Sequence, residues 1–262
     1  MFESMDPMTL ILMVCAGFFA GWVDAVVGGG GLVQLPALML VPGLTPYQAL
    51  AVNKLGSVFG TVASATTYYR RTSADLQTSL PTAVVAFFAS MGGAIVATHI
   101  PTTLFKPIIV CALVGVLLFT VFKPNLGELQ QLKHTGARHI LTALGIGVVI
   151  GFYDGLLGPG TGSFLMIALI SLLGYNFLLA TAQTKIINLA TNLGALIFFA
   201  LAGYQVWSLG LLLGSANLCG GYLGARTAIA RGNKFIRVMM MGIVSALILT
   251  MAWDLWSRAL FF

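Results

Sequence analysis

The stretch Gly151-Phe152-Tyr153-Asp154-Gly155-Leu156-Leu157-Gly158-Pro159-Gly160-Thr161-Gly162 places one carboxylate and several helix-breaking residues inside an otherwise apolar sequence. A second stretch, Gly21-Trp22-Val23-Asp24-Ala25-Val26-Val27-Gly28-Gly29-Gly30-Gly31, has the same plan. Asp154 lies 130 positions after Asp24, and a glycine follows each acid by four residues. Two matching breaks in apolar segments indicate a functional site.

The composition predicts a helical membrane protein. Of the 262 residues, 58% are hydrophobic and only 8% are charged, and the mean hydropathy is +0.97. Such a chain has too little polar surface for a water-soluble globule. The 13 Lys and Arg against 7 acidic residues are therefore expected in loops that orient the helices, and no nucleic-acid partner is predicted. Cys15, Cys111 and Cys219 lie far apart in apolar runs and predict helix packing.

Two halves with similar patterns are separated by one extended polar connector. The N-terminal residues are acidic and lack the positive charge of a signal peptide, so the first apolar segment is expected to be retained. Apolar segments are predicted at about 8–27, 32–40, 46–69, 80–98 and 105–122 in the first half, and at about 140–157, 164–173, 177–202 and 209–225 in the second, which ends with a basic loop and a final span. The segments at 32–40 and 164–173 are too short to cross a bilayer, so each is expected to fold back as part of a hairpin.

Further landmarks indicate an internal duplication. Ala49-x-Ala51-x-x-Lys54 matches Ala180-x-Ala182-x-x-Lys185, and the pair Gly92-Gly93 is expected to correspond to Gly220-Gly221. Spacing that is held within a few residues over four landmarks is typical of repeats in transporters.

The charges of the loops favour inverted repeats. The loops at Arg70-Arg71 and at 226–237 are basic, whereas the loop at 203–206 carries no charge. If every basic loop is cytoplasmic, the halves insert with opposite orientations and both termini are external. The prediction is an all-α polytopic membrane protein with two inverted repeats, each a broken helical hairpin plus three transmembrane helices. Residues 1–122 and 140–262 form the repeats, and 123–139 form a basic cytoplasmic connector. The alternative counts each hairpin as one kinked crossing and gives eight spans in parallel halves.

Four ionisable residues are too deep in apolar segments to reach an interface easily: Asp24, Lys54, Asp154 and Lys185. Because charge at mid-membrane costs about 2.5–3.5 kcal/mol, such residues are candidates for a transport pathway. Asp24 and Asp154 either pair with the lysines or take up and release a proton. The structural alternative is two Asp–Lys ion pairs that only lock the hairpins to the long helices.

The residues around these charges predict a site for a small anion. Lys offers a point charge, hydroxyl and amide groups offer hydrogen bonds, and a glycine break exposes backbone N–H groups at a helix N-terminus. The predicted substrate-binding residues are Lys54, Lys185, Ser57, Asn188, Asn192, Gly29, Gly30, Gly31, Gly160, Thr161, Gly162 and Ser163. No catalytic residue, metal site or cofactor is predicted.

At these residues the sequence resembles the TauE/SafE sulfite exporter family, also called the toluene sulfonate uptake permease family, and within it the YfcA-like membrane transporters. The resemblance rests on the stretch 20–32, Ala51-Val52-Asn53-Lys54-Leu55, the stretch 151–164 and Ala180-Thr181-Ala182-x-x-Lys185. It implies an integral membrane transporter of small sulfur-containing anions, including sulfite, sulfonates and related organic acids. The family is diverse, so sulfite itself is not singled out.

These observations predict a multi-pass secondary transporter of a bacterial inner membrane. The expected partners are the bilayer and a small anionic substrate, with protons and a second copy of the chain left open. A passive anion channel would share the same features. A membrane-embedded enzyme is disfavoured because His99, His134 and His139 form no ligand cluster, and the chain has no nucleotide-binding Gly-x-x-x-x-Gly-Lys-Ser/Thr loop.

Overall fold

The computed structural model describes residues 7–104, 114 and 129–260, and within these ranges the chain is helical without any β-strand. The predicted span at 105–122 lies outside the described residues apart from position 114. The α-helices of the described ranges are α1 (Pro7–Val27), α2 (Gly30–Met39), α3 (Pro46–Arg71), α4 (Leu76–Ala97), α5 (Gly136–Leu156), α6 (Thr161–Ala168), α7 (Phe177–Leu201) and α8 (Trp207–Leu260).

Four of these helices are long and apolar enough to cross a membrane, namely α1, α4, α5 and α7. The short helices α2 and α6 follow α1 and α5 directly, as the two hairpins predicted from the sequence require. A π-helical turn, Leu169–Leu173, extends α6. The all-α, multi-pass architecture predicted from composition is therefore confirmed.

The long helices begin at residues whose side chains can satisfy free backbone N–H groups. Thr45 accepts a hydrogen bond from the backbone N–H of Gln48 at 3.3 Å, and the Gln48 side chain accepts one from the Thr45 backbone N–H at 3.0 Å. Asn176 caps α7 in a similar way, accepting from the backbone N–H of Leu179 at 2.9 Å. These caps explain why both long helices start close to the predicted positions 46 and 177.

Two predicted boundaries are wrong. The segment that was expected to form a basic loop between two spans, with Arg226, Arg231, Lys234 and Arg237, is helical on both sides of a single break at Gly232 (φ 70°, ψ −165°). Helix α5 begins at Gly136, four residues earlier than predicted, so the end of the predicted connector is helical. In both places the basic residues predict a loop, but long basic side chains can also extend from a helix to the membrane interface.

Each half packs its helices against the other half. A Cβ on Gly224 of α8 would overlap the carbonyl oxygen of Trp22 in α1, and a Cβ on Gly93 of α4 would overlap that of Phe152 in α5. Trp22 and Phe152 are 130 positions apart, and Gly93 and Gly224 are 131 apart. Gly93 and Gly224 therefore occupy equivalent positions in the two halves. The predicted match of Gly92-Gly93 to Gly220-Gly221 is wrong, because it relied on local sequence and not on the packing contacts.

The long helices α3 and α7 run antiparallel. The ring of Tyr47, at the start of α3, lies 5.6 Å from the ring of Tyr204, which follows α7. Ten residues further along α3, Ser57 lines the same cavity as Asn188, which lies sixteen residues before Tyr204. This course is what an inverted duplication would produce, while the insertion of the halves with opposite orientations in a bilayer stays a prediction.

A polar cluster joins the first turns of α4 and α5 to the loop before α7. The Tyr175 hydroxyl donates to Asp75 Oδ2 at 2.8 Å and lies 3.0 Å from His139 Nε2, and the Thr78 hydroxyl donates to the same carboxylate oxygen at 2.6 Å. Burial raises the pKa of Asp75, but the hydrogen bonds from Thr78 and Tyr175 outweigh it and hold the pKa below its ordinary value. The cluster therefore favours an ionised carboxylate at this end of the molecule.

Candidate functional site

Both hairpins turn at glycines with a left-handed backbone. Gly28 follows α1 with φ 77°, while Gly158 and Gly160 follow α5 with φ 88° and 83°. Residues with a Cβ rarely adopt these angles, so glycine is needed for the chain to reverse within a few residues. The glycine runs thus end α1 and α5 and let α2 and α6 begin at the turn.

The tips of the two hairpins touch each other. A Cβ on Gly162 would overlap the Cα of Gly28, and a Cβ on Gly28 would overlap the backbone of Gly162. The Ser163 hydroxyl donates to the carbonyl oxygen of Val27 at 2.7 Å and links α6 to the end of α1. Breaks that are 130 residues apart in sequence therefore form one junction.

Each buried lysine pairs with the acid of the opposite half. Lys54 Nζ lies 2.8 Å from Asp154 Oδ2, and Lys185 Nζ lies 3.0 Å from Asp24 Oδ2. Lys54 is 1% exposed and Lys185 is 0% exposed. Two ion pairs thus cross between the halves, an arrangement that neither half could form alone.

The lysines also bind the C-terminal ends of the broken helices. Lys54 Nζ donates to the carbonyl oxygen of Asp154 at 2.6 Å, and Lys185 Nζ donates to the carbonyl oxygen of Asp24. Carbonyl groups in the last turn of a helix carry partial negative charge, so an ammonium group is favourable there. Each lysine therefore stabilises the helix end that the glycine break creates in the opposite half.

A small cavity lies between the hairpin tips and the long helices. Its volume is about 10 Å³, which is about the space that the centre of one water molecule needs. The charged residues Asp24, Lys54 and Asp154 face it, as do the glycines Gly28, Gly31, Gly158 and Gly162. The remaining lining residues carry amide or hydroxyl groups and are Asn53, Ser57, Thr161, Asn188 and Asn192.

The structure brings most of the predicted substrate-binding residues to this cavity, but not all of them. Lys54, Ser57, Asn188, Asn192, Gly31, Thr161 and Gly162 line it. Lys185 lies behind Asp24, with which it pairs, and Ser163 is engaged with the carbonyl oxygen of Val27. Gly29, Gly30 and Gly160 form the turns without lining the cavity, and the backbone N–H of Gly30 lies 3.4 Å from Asp24 Oδ1.

Three lining residues were not among the predicted site residues. Gly28 and Gly158 each follow an acid by four residues, a repetition that could have identified them. Asn53 lies four positions before Ser57 on α3, so helical spacing places both on one face. Within the described part of the chain, Asn53 Oδ1 is buried without a hydrogen-bond partner, which is unusual for a purely structural side chain.

The centre is electrically balanced by its own residues. Two ammonium groups and two carboxylates contribute equal and opposite charge. Removing one partner of such a buried pair is destabilising, because the other charge is left uncompensated.

The helices and their buried charges define a polytopic membrane protein with a polar centre. The chain belongs to the family described as Sulfite exporter TauE/SafE, which matches residues 13–251. Its relatives are named probable membrane transporter proteins, in agreement with the predicted class and with the prediction that the protein is not an enzyme.

Two relatives align over nearly the whole chain. A probable membrane transporter protein, ORF9, of Sinorhizobium sp is 37% identical over 94% of this chain and 93% of its own length. The probable membrane transporter protein YfcA of Escherichia coli (strain K12) is 34% identical over 92% of this chain and 88% of its own length. No solved structure matches the chain. The protein is therefore a multi-pass membrane transporter of the TauE/SafE family.

Proposed function

We propose that this protein is a secondary transporter of a small sulfur-containing or organic anion, such as sulfite or a sulfonate, and that the anion binds at Lys54 in the central cavity. The observation that carries the proposal is that Lys54, which is 1% exposed, lines a cavity together with amide, hydroxyl and glycine residues and the two acids. Lys185 supports the same site through Asp24. The family description is that of a sulfite exporter, which suggests the substrate class.

Once the carboxylates of Asp24 and Asp154 are neutralised, the cavity offers an oxyanion one ammonium group and several hydrogen-bond donors. Asn53 and Ser57 can direct hydrogen bonds toward a group bound next to Lys54, whereas the Thr161 hydroxyl donates to the carbonyl oxygen of Gly158 at 2.7 Å. Helices α2 and α6 both begin at the hairpin tips, so their free N–H groups add positive partial charge there. Broken helices that point their N-termini at an anionic group are a recurrent feature of secondary transporters.

Protonation of Asp154 offers a route by which the anion gains access to Lys54. With Asp154 ionised, the ammonium group is already neutralised at 2.8 Å. A proton on the carboxylate would remove that competition, so an anion and a proton would occupy the centre together. This arrangement would couple anion transport to the proton gradient, and Asp24 would play the same part for Lys185.

Transport requires the cavity to expand. A volume of about 10 Å³ holds about one water molecule, whereas sulfite has four heavy atoms. The contact of Gly28 with Gly162 closes the centre, and each tip belongs to a different half. Because α1 packs tightly against α8 and α5 against α4, the tips belong to two packed groups of helices, and movement of one group against the other would separate the tips and open the site, as in transporters built from two repeats.

The substrate is tested by measuring binding and flux with the same set of anions. We expect sulfite or a sulfonate to raise the Tm of the purified protein, and carboxylates of equal charge to raise it less. In proteoliposomes, uptake of the stabilising anion should saturate and show counterflow. Linear uptake without counterflow would instead identify an anion channel, and no response to any anion in both assays would contradict the proposal.

Proton coupling is tested with Asp154→Asn, which imitates the protonated carboxylate. We expect parent uptake to rise as the pH is lowered and the variant to lose this dependence, because Asn leaves Lys54 free at every pH. Asp75→Asn is the matched control, since Asp75 caps α4 outside the central cavity and Asn caps helices equally well. If Asp154→Asn retains the pH profile of the parent, Asp154 has no coupling role.

A further inference from the structure

A second cavity lies between α3 and the first part of α8, away from the hairpin tips. Its volume is about 340 Å³, within the range of about 300–1,000 Å³ that is usual for ligand pockets. Val62 of α3 and Leu218 of α8 form apolar walls and are each 42% exposed. We refer to this cavity as the α3–α8 groove.

One end of the α3–α8 groove is strongly basic. Arg70 and Arg71, the last residues of α3, line it together with Tyr222 of α8. One turn further along α8, Arg226 Nη1 donates to the Tyr222 hydroxyl at 3.2 Å, and its guanidinium carbon lies 5.6 Å from the centre of the Tyr222 ring. Within the described ranges neither Arg70 nor Arg71 pairs with a carboxylate.

The three guanidinium groups lie at the same end because α3 and this part of α8 run in the same direction. A Cβ on Gly210 would contact Leu55, and a Cβ on Gly221 would contact Gly60 further along both helices. The C-terminal end of α3 and the part of α8 around Arg226 therefore reach the same face of the molecule. Positive-inside charge bias predicts that this face is cytoplasmic.

The helix pair that is equivalent to α3 and α8 shows that packing does not require these arginines. Helices α7 and α4 pack in the corresponding way, since the Ser90 hydroxyl donates to the carbonyl oxygen of Thr191 at 2.7 Å. At the constant offset of 131, Leu201 corresponds to Arg70 and Met91 to Tyr222. Ile95 corresponds to Arg226. The equivalent helix pair thus packs without basic residues at these positions.

We propose that the α3–α8 groove binds an anionic phospholipid, with its phosphate at Arg70, Arg71 and Arg226 and an acyl chain along Val62 and Leu218. Guanidinium groups bind phosphate oxygens in a bidentate manner, and basic pockets between transmembrane helices on the cytoplasmic side suit anionic head groups. The adjacent exposed apolar walls favour a lipid over a soluble phosphate, because a soluble phosphate has no acyl chain to contact them. This site is separate from the proposed transport site.

The proposal is tested with lipid added to the detergent-purified full chain. We expect phosphatidylglycerol to raise the Tm and to remain bound in native mass spectrometry, and phosphatidylcholine with the same acyl chains to do neither. Arg71→Gln and Arg226→Gln should each weaken phosphatidylglycerol binding about fivefold. Val62→Trp, which fills the groove without changing the charge, should weaken it as well.

Arg231→Gln is the matched control. Arg231 lies on the same helix and in the same basic region, but its guanidinium carbon stacks 5.1 Å from the Phe235 ring, outside the groove. The proposal is overturned if Arg231→Gln weakens lipid binding as much as Arg71→Gln does, because the arginines would then act only as general positive charge. Equal stabilisation by glycerol phosphate and by phosphatidylglycerol would also overturn it, since the apolar walls would have no role.

Discussion

Replacing Lys54 by methionine should remove anion uptake and also lower the stability of the protein, because Met keeps the volume of the side chain but not its charge. The buried Asp154 carboxylate, 2.8 Å from Lys54 Nζ in the parent, would lose its partner. Breaking a buried pair in this way costs about 3–5 kcal/mol of unfolding free energy. Uptake should fall at least about 30-fold, as expected for loss of a direct charge contact.

The double variant Lys54→Met/Asp154→Asn separates anion binding from the structural alternative. Removing both charges should restore most of the unfolding free energy, since a buried pair replaced by neutral groups of similar volume is often tolerated. Uptake should remain low, because no ammonium group is left in the cavity. If the double variant regains both stability and uptake, the pair is only structural. Lys133→Met, which removes a surface contact to the Ser171 carbonyl oxygen, should change neither quantity.

Much of the fold could be predicted because membrane burial leaves a strong mark on the sequence. The glycine runs, the acids and the lysines repeat at offsets of 130 and 131, and the structure brings both breaks to one junction. The helix starts at Thr45-Pro46 and Asn176 follow from local capping chemistry. These signals are local or periodic, and the sequence displays them directly.

Features that depend on contact between the halves could not be predicted. The sequence offers Lys54 two acids, and only the packing of α3 against the end of α5 selects Asp154. The position of Lys185 behind Asp24, outside the cavity lining, depends on the same packing. The sequence does not predict that Gly93 and Gly224 are equivalent. A close approach of one helix to a backbone carbonyl of another requires a glycine, and glycines occur at many positions of this chain. Long-range geometry thus decides which of several chemically equivalent residues face the cavity.

The tight contact between the hairpin tips leads to a second large expected effect, in Gly162→Ala. Gly162 lies in the first turn of α6, where alanine is normally a good helix residue. Here its Cβ would overlap the Cα of Gly28, and neither backbone can move without displacing a helix break. Overpacking of this kind usually costs about 1–3 kcal/mol. The tips should be forced apart, so that Thr161 and Lys54 no longer face one small cavity.

We therefore expect Gly162→Ala to lower the Tm markedly and to reduce uptake to near background. Gly92→Ala is the matched control: apart from the neighbouring backbone of its own helix, no heavy atom lies within 4 Å of the position that the Cβ of this glycine would take, so alanine should be neutral or stabilising by up to about 1 kcal/mol. Equal Tm and uptake for the two variants would show that the hairpin tips are not in contact in the membrane. The proposed mechanism requires the tips to separate and close around the anion, so this result would contradict it. A variant that keeps its Tm but loses uptake would instead assign the contact to the transport cycle and not to folding.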